Sequence, residues 1–393
     1  MSIVVHSLAV TTADSFGTGR HVGSVLAEQL NGPPQLILLY LTAFHDGSEF
    51  LRGITSVMGG NIPMLGSTVQ GIVGNGLVRE DSFGAAVMAF AGDSLVTGVA
   101  RADDIHIDTE AKGKSLGAQL RAELHHPPKA VVLLFDPLSG ADFQALLRGI
   151  ASDIECPILG GASAAPYAYG SLQTTHQFFG GEAFSRGAVA FALGGDIHVE
   201  TGLCHGCSPV GVEMLVTKAA GNVLLELDGR RASDVWDEIC GDTSGSNRAD
   251  RTPALAIGVP VPNSVDDYSV LGAFSMDPGT GAVIMGVPIA EGTTIMLHHR
   301  TVEDVLNGAS RMGEDLNRRL AGRRVRAMLG FECGARTAPF LGTAETLREN
   351  LMLQAQVAPD ASWIGGMFWG ELHPSGARPA FHNYSYAVLG IAE

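Results

Sequence analysis

Cysteine is scarce in this sequence, and long hydrophobic runs are missing. Its 393 residues include five cysteines, an odd number, which is typical of a protein whose thiols stay reduced and argues against a disulfide framework. Apolar stretches such as Ala130–Phe135 and Gly187–Leu193 are far shorter than the roughly 20 residues of a transmembrane helix. The first residues lack the basic segment and apolar core of a signal peptide. We therefore expect a cytoplasmic protein without membrane association.

Basic residues are also few. The 25 lysines and arginines are outnumbered by 41 aspartates and glutamates, and no basic run exceeds a pair, which disfavours nucleic-acid binding. The glycine-rich turns lack the lysine of a P-loop and the GxGxxG of a dinucleotide fold, so we expect no cofactor. Cys204 and Cys207 have CxxC spacing, but no second pair of ligands accompanies them, so we expect no metal site.

Hydrophobic residues and glycine are abundant instead. Hydrophobic residues make up 46% of the chain and charged residues 17%, which favours a large core and a surface covered by a partner or by a second copy. The 51 glycines follow no short period, so they indicate many tight turns between strands rather than a collagen-like repeat. A chain of this length is expected to form two domains.

An internal repeat is the strongest pattern in the sequence. Two segments, 35–73 and 130–167, each begin with an apolar run typical of a buried strand, followed by a helical stretch that contains Leu-Arg-Gly-Ile at 51–54 and at 147–150. Each then continues with Pro-x-Leu-Gly, at 63–66 and at 157–160, which starts a second strand. The duplication extends over about 35–105 and 130–205.

The C-terminal half contains a third, looser copy. Its predicted strand is Val325–Phe331, its helix runs from Thr343 to about Val357, and later strands follow. The segment between the copies alternates short strands with turns, which predicts an antiparallel hairpin region, while the polar stretch Asp242–Asp250 predicts a loop. The predicted fold class is therefore mixed α/β, with mixed sheets flanked by helices. We place one domain at 1–215 and the other at 222–393.

Several motifs in these two parts resemble the FIST family, which is named from F-box proteins and intracellular signal transduction. In the first part they are Pro63-x-Leu65-Gly66-Ser67-Thr68, Gly206-Cys207-x-Pro209-x-Gly211 and the stretch from Val216-Thr217 to Gly229. In the second part they are Gly330-Phe331-x-Cys333-x-x-Arg336, Gly365-Gly366-x-x-x-Gly370-Glu371 and His382-Asn383-Tyr384-Ser385. The resemblance implies a FIST N-terminal and a FIST C-terminal domain. It also implies a sensory module that binds a small ligand, such as an amino acid, and that signals through a partner protein in trans.

The candidate ligand-binding residues lie where predicted strands end, because ligands of α/β sheets bind beyond the carboxyl ends of the strands. Arg336 is a candidate to bind a ligand carboxylate and Glu371 an ammonium group, unless the two pair with each other. The remaining candidates are small or polar residues at the same corners, namely Ser67, Thr68, Ser163, Cys333 and Asn383.

Two other functions stay open at this point. A protein-recruiting scaffold would show an exposed apolar patch, and a hydrolase would use Cys333 as a nucleophile activated by a neighbouring base. Ser67 and Glu332 depart from the cysteine and serine expected in many relatives, which weakens any role for a reactive thiol. An enzyme would need a histidine or carboxylate within hydrogen-bond reach of Cys333 together with an oxyanion-type donor pair. We expect this combined geometry to be absent, and therefore no catalytic residue.

Overall fold

The structure is a computed structural model that describes all residues except 1–2, 31, 81, 125, 167–173, 241–254, 262–267, 278 and 377, and the side chains at 239, 240, 255 and 274. The predicted loop Asp242–Asp250 lies outside the described residues. The fold is mixed α/β, as predicted. No helix within the described ranges combines the length and the apolar character needed to cross a bilayer.

The chain forms three structural units and one insertion. The first unit contains β1 (Val4–Val10), α1 (Ser15–Gln29), β2 (Leu36–Thr42), α2 (Gly47–Met58), β3 (Met64–Val69), β4 (Ile72–Gly74), β5 (Leu77–Arg79) and β6 (Ala85–Ala91). The second contains β7 (Leu95–Ala102), α3 (Thr109–Leu124), β8 (Ala130–Phe135), α4 (Phe143–Ala151), β9 (Ile158–Ala162), β10 (Gln177–Phe179), β11 (Glu182–Phe184) and β12 (Ala188–Gly195).

The third unit is interrupted after its first strand, β13 (His198–Cys204). The insertion contains β14 (Cys207–Ala220), β15 (Val223–Leu227), β16 (Arg230–Arg231), α5 (Ala232–Cys240), β17 (Leu255–Pro260), β18 (Tyr268–Leu271), β19 (Ala273–Met276), β20 (Val283–Met285) and β21 (Thr294–Arg300). The unit resumes with α6 (Val302–Arg319), β22 (Val325–Cys333), α7 (Ala338–Leu341), α8 (Thr343–Val357), β23 (Ser362–Phe368), β24 (Glu371–Ser375), β25 (Arg378–His382) and β26 (Tyr386–Ala392). The predicted third copy is thereby confirmed, and so is the hairpin-rich region before it.

Each unit builds the same four-stranded arrangement. The strand orders are β1-β6-β2-β3, β7-β12-β8-β9 and β13-β26-β22-β23, and in each the last two strands are a parallel pair joined by a helix. One face of each sheet packs into a common central core, to which Leu38, Leu134 and Leu329 contribute fully buried side chains. The helices cover the outer faces. The carboxyl ends of the three parallel pairs therefore lie at the rim of one core.

The shared Leu-Arg-Gly-Ile motif is explained by helix packing. A Cβ on Gly53 would lie 2.3 Å from the carbonyl oxygen of Phe16 on α1, and a Cβ on Gly149 would lie 2.3 Å from that of Glu110 on α3. Only glycine lets the helix backbones approach this closely. The repeated glycine therefore fixes how each helix pair packs on its sheet.

The three units exchange hairpins in a cycle. Hairpin β4–β5 of the first unit adds to β23 of the third, hairpin β24–β25 of the third adds to β9 of the second, and hairpin β10–β11 of the second adds to β3 of the first. Each sheet thus reaches six strands by borrowing two. The predicted division into 1–215 and 222–393, which falls at the end of β14, stays a prediction. Strands from both sides of it share two of the six-stranded sheets, and β14, which crosses it, pairs with strands of the second part in a third sheet.

Equivalent backbone hydrogen bonds close the cycle where the hairpins cross. Each joins the N–H of a residue at the end of the second parallel strand to the carbonyl just before a borrowed hairpin strand. They run from Thr68 to His176, from Ala162 to Gly370 and from Met367 to Gly71, each 2.9 Å long. The carboxyl ends of all three units are therefore tied to one another.

Candidate functional site

A row of polar side chains lies on the inner face of the first sheet. Tyr40 on β2 and Gln177 on β10 both pair in register with Ser67 on β3, so the three side chains point to the same side. All are fully buried, and the ring of Tyr40 meets that of Phe368 edge to face at 5.3 Å, which places the row against the central core. The amide Nε2 of Gln177 donates to Ser163 Oγ over 2.9 Å. We call Tyr40, Ser67, Gln177 and Ser163 the inner polar row.

The inner polar row has unused hydrogen-bonding capacity. Tyr40 OH, Ser67 Oγ and Gln177 Oε1 find no hydrogen-bond partner among the described residues. A buried polar atom without a partner costs roughly 1–3 kcal/mol, so such groups are rare in native proteins. Burial also raises the pKa of the Tyr40 phenol, which keeps its proton available for donation. The row can therefore offer two hydroxyls and one carbonyl oxygen to a bound molecule.

Asp136 lies next to this row, and its carboxylate mainly accepts hydrogen bonds from backbone N–H groups. It is at the end of β8, and its carboxylate accepts from the N–H groups of Leu138 and Arg186 at 2.8 and 2.7 Å, and from the hydroxyl of Thr175 at 2.7 Å. Thr42 and Cys333 hold the equivalent position in the other two units, because the N–H of each of the three residues donates to the residue just before the unit's last strand. In each unit, the residue at this position thus ties the end of the first parallel strand to the start of the last strand.

Glu371 is the counterpart of Gln177 in the cycle of borrowed hairpins, since it pairs with Gly161 of β9 as Gln177 pairs with Ser67 of β3. It is fully buried, and its Oε2 accepts from the Ser385 hydroxyl at 2.8 Å. Oε1 has no hydrogen-bond partner in the part of the chain that is described. Burial raises the pKa of this carboxyl to about 8, so most of it is protonated at neutral pH.

Cys333 lies beside the carboxyl of Glu371. The sulfur of Cys333 accepts a hydrogen bond from the Tyr384 N–H at 3.1 Å. Burial, reinforced by the charge that Glu371 carries when ionised, raises the pKa of Cys333 well above its ordinary value. A nucleophilic cysteine needs a lowered pKa and an accessible sulfur, and Cys333 is 3% exposed. The geometry gives the thiol a structural role.

Arg336 belongs to a separate buried cluster. Its guanidinium pairs with Glu349 of α8, and Nη1 donates to the carbonyl oxygens of His205 and Tyr384 at 3.2 and 3.1 Å. Nε is its only nitrogen without a partner among the described residues. Arg336 was expected to bind either a ligand or Glu371. Its actual partner is Glu349, which the sequence does not distinguish from other residues of a buried helix face.

A second acid, Glu332, lies in the same cluster. Its Oε2 accepts from Asn350 Nδ2 at 3.0 Å, while burial and the neighbouring charge of Glu349 raise its pKa well above the ordinary value. Burial also raises the pKa of Glu349, against the lowering effect of the Arg336 guanidinium with which it pairs. Glu349 is thus the direct ion-pair partner of Arg336. The cluster anchors α8 to β22.

The two remaining candidates bond to the backbone. Thr68 Oγ1 accepts from the His176 N–H at 3.0 Å, and Asn383 Oδ1 accepts from the Gly272 N–H at 3.0 Å, which ties the insertion to the third unit. The structure thus brings Ser67, Ser163, Cys333 and Glu371 to the inner face where strands end. It places Arg336, Asn383 and Thr68 elsewhere. Tyr40 and Gln177 were missed by sequence reasoning.

The clefts on the surface of the described residues include three that none of the seven predicted residues lines. A polar cleft of about 520 Å³ is bordered by the segment Cys204–Cys207 and by His373 and His382. Burial raises the pKa of Cys204 to about 12 and that of Cys207 to about 11, so both thiols stay protonated. Among the described residues no group of three or more His, Cys, Asp or Glu side chains could hold a metal ion.

Comparison with known proteins places this architecture in a family. The FIST N domain matches residues 35–230 and the FIST C domain matches residues 232–374. An uncharacterized protein of Mycobacterium bovis is 26% identical over 219 residues, which cover 54% of this chain and 55% of that protein, so the chain matches about half the length of this relative. An uncharacterized protein of Mycobacterium tuberculosis is 24% identical over 376 residues, 92% of each chain.

Two solved structures are similar at low identity. A cyanuric acid hydrolase from A. caulinodans has a TM-score of 0.41 at 9% identity, with 100% of this chain and 99% of that chain covered. PurL of T. maritima has a TM-score of 0.24 at 11% identity, with 99% of this chain and 71% of that one covered. On the matches to both of its domains, which together span most of the sequence, the chain belongs to the FIST family, whose domains are associated with signal transduction and small-ligand sensing.

Proposed function

We propose that this protein is a sensor that binds a small polar molecule at the inner polar row and passes the signal to a partner protein in trans. The observation that carries the proposal is the set of unpartnered atoms on fully buried side chains of this row, namely Tyr40 OH, Ser67 Oγ and Gln177 Oε1, together with Glu371 Oε1 at the equivalent register position of the second sheet. Such atoms are normally satisfied by water or by a ligand. Tyr40 and Ser67 lie in the C-terminal halves of the parallel strands β2 and β3, and Gln177 and Glu371 are the first residues of hairpin strands that pair with such strands. Ligands of α/β sheets bind beyond the carboxyl ends of the parallel strands.

The chemistry of these atoms favours an amino acid or a similar small carboxylate. The hydroxyls of Tyr40 and Ser67 can donate to a ligand carboxylate, while Gln177 Oε1 can accept from an ammonium group. Glu371 can bind either the carboxylate or the ammonium group of such a ligand, because its carboxyl donates a hydrogen bond when protonated and accepts one when ionised. Its pKa of about 8 lets both forms be populated near neutral pH. This assignment needs no catalytic residue, because the thiol of Cys333 stays protonated.

The proposal is tested by a thermal-shift screen of amino acids and small carboxylates, followed by calorimetry on any hit. A ligand that binds only the native state stabilises it by roughly 2–3 kcal/mol at a hundredfold excess over Kd. Ser67→Ala removes a hydroxyl without a described partner, so the unliganded protein should keep its stability while the ligand-induced rise in Tm disappears.

A matched control comes from a second buried glutamine. Gln354 on α8 donates to the Gly74 carbonyl at 3.0 Å and accepts from the Gly76 N–H at 2.9 Å, so its amide is fully used. Gln354→Met should lower Tm yet leave the ligand response intact, whereas Gln177→Met should abolish the response. A screen in which no amino acid or carboxylate shifts Tm, or a hit that binds the Ser67 and Gln177 variants as tightly as the parent, would overturn the proposal.

A further inference from the structure

A large apolar cleft lies on the surface where the second unit, the insertion and the third unit meet. It has a volume of about 820 Å³ and is enclosed by α4 of the second unit, by the insertion and by the hairpin β24–β25 of the third unit. Its walls include Leu147, Leu271, Val287, Ile289 and Phe381, each at most 5% exposed. A cleft of roughly 300–1,000 Å³ with mostly apolar walls has the dimensions of a small-molecule site.

The charged side chains that line this cleft, among the described residues, are all of one sign. They are Arg148 and Arg378, and no described acidic residue joins them, although the whole chain has 41 aspartates and glutamates against 25 lysines and arginines. The side chain of Arg378 is exposed and makes no hydrogen bond, ion pair or ring contact within the described part of the chain. Arg148 pairs only at 3.7 Å, with Glu110 and with Asp142. The cleft thus offers an uncommitted guanidinium beside an apolar surface.

We infer that this cleft binds an amphipathic monocarboxylate, a small molecule with an apolar body and one carboxylate. The body would cover the side chains of the wall, where each buried methylene contributes about 0.8 kcal/mol. The carboxylate would accept two parallel hydrogen bonds from the planar guanidinium of Arg378. The cleft shares no residue with the inner polar row, so this site and the proposed sensory site succeed or fail independently.

The inference is tested with decanoate and with 1-decanol, which has the same chain without the charge, by calorimetry on the full chain. Decanoate should bind the parent protein, and Arg378→Gln should weaken it at least about tenfold while leaving decanol unaffected. The matched control is Arg348→Gln on α8, an exposed arginine with an ion pair to Glu345, which should change nothing. Ala151→Phe, on the α4 wall, should fill the cleft and weaken both probes.

Each contrary result has a definite meaning. Equal affinity of decanoate for the parent protein and for Arg378→Gln would show that the guanidinium does not recognise the carboxylate, which overturns the inference. No decanoate binding at millimolar concentration would overturn it as well. If the parent protein instead forms a concentration-dependent dimer that Ala151→Phe abolishes, a second copy covers the cleft and no monocarboxylate does. Circular dichroism of each variant separates these outcomes from a failure to fold.

Discussion

Glu371→Gln should make the protein more stable, and increasingly so as the pH rises. The carboxyl of Glu371 is fully buried and its pKa is raised from 4.5 to about 8, mainly because burial penalises the ionised form. A neutral amide has nearly the same shape and can still accept the hydrogen bond from the Ser385 hydroxyl. The substitution therefore removes the ionisation and little else.

The sign and size follow from proton linkage. A carboxyl whose pKa is higher in the folded state binds its proton more tightly there, so its contribution to stability is complete below pH 4.5 and is lost as the pH rises through 8. Each pKa unit corresponds to about 1.4 kcal/mol, which sets a ceiling of about 3 kcal/mol lost between pH 4.5 and 7 and about 5 kcal/mol by pH 9. The parent protein undergoes this loss and the variant does not.

The assay is denaturant unfolding of both proteins from about pH 5 to about pH 9, with the difference in unfolding free energy plotted against pH. Glu332 also has a raised pKa, but it is present in both proteins and cancels in the difference. The difference should be about 1 kcal/mol at the acidic end, should grow through neutral pH and should level off above about pH 8. A difference that stays constant with pH would refute the reasoning, since it would mean that Glu371 ionises as easily in the folded chain as in the unfolded one.

Three further predictions concern the buried cluster, the cysteines and the exchange of hairpins. Glu349→Gln should lower the unfolding free energy by about 3–5 kcal/mol because it leaves the fully buried Arg336 without a counter-charge, whereas Glu345→Gln on the same helix should change it by less than about 1 kcal/mol; equal effects would contradict this. In a titration with a thiol reagent at about pH 8, Cys333 should react only after denaturant is added, and rapid labelling of the native protein would contradict its structural role. A chain ending after residue 230 should be insoluble or unfolded by circular dichroism and size-exclusion chromatography, because β4 and β9 lose the strands they pair with, and a folded monomer would show that the hairpin exchange is dispensable.

The repeated elements were predictable because each is specified locally. Apolar runs of strand length, the turn after each and the Leu-Arg-Gly-Ile helix recur in the sequence, and the structure places β2-α2-β3 and β8-α4-β9 on them. Gly53 and Gly149 stand out in the sequence because the helix packing tolerates no side chain there. The mixed α/β class and the third copy followed from the same local signals.

The site was only half predictable. Ser67 and Ser163 could be predicted because they follow the repeated Pro-x-Leu-Gly motif. Gln177 lies on a strand of only three residues, which is too short to show a hydrophobic period. Its position beside Ser67 depends on a hairpin of the second unit crossing to the sheet of the first. Arg336 was selected as a free cation because its partner, Glu349, lies 13 residues away on a helix whose orientation the sequence does not state.

The sequence by itself determined the repeating strand–helix–strand unit, the helix contacts at its glycines and the polar residues at its strand ends, since these depend on neighbours along the chain. Only the tertiary structure decided which units exchange hairpins, which polar atoms remain without partners and which charges neutralise one another. The physical reason is that hydrogen-bond satisfaction and charge pairing in a core depend on contacts between residues far apart in sequence. Local sequence patterns do not predict those contacts.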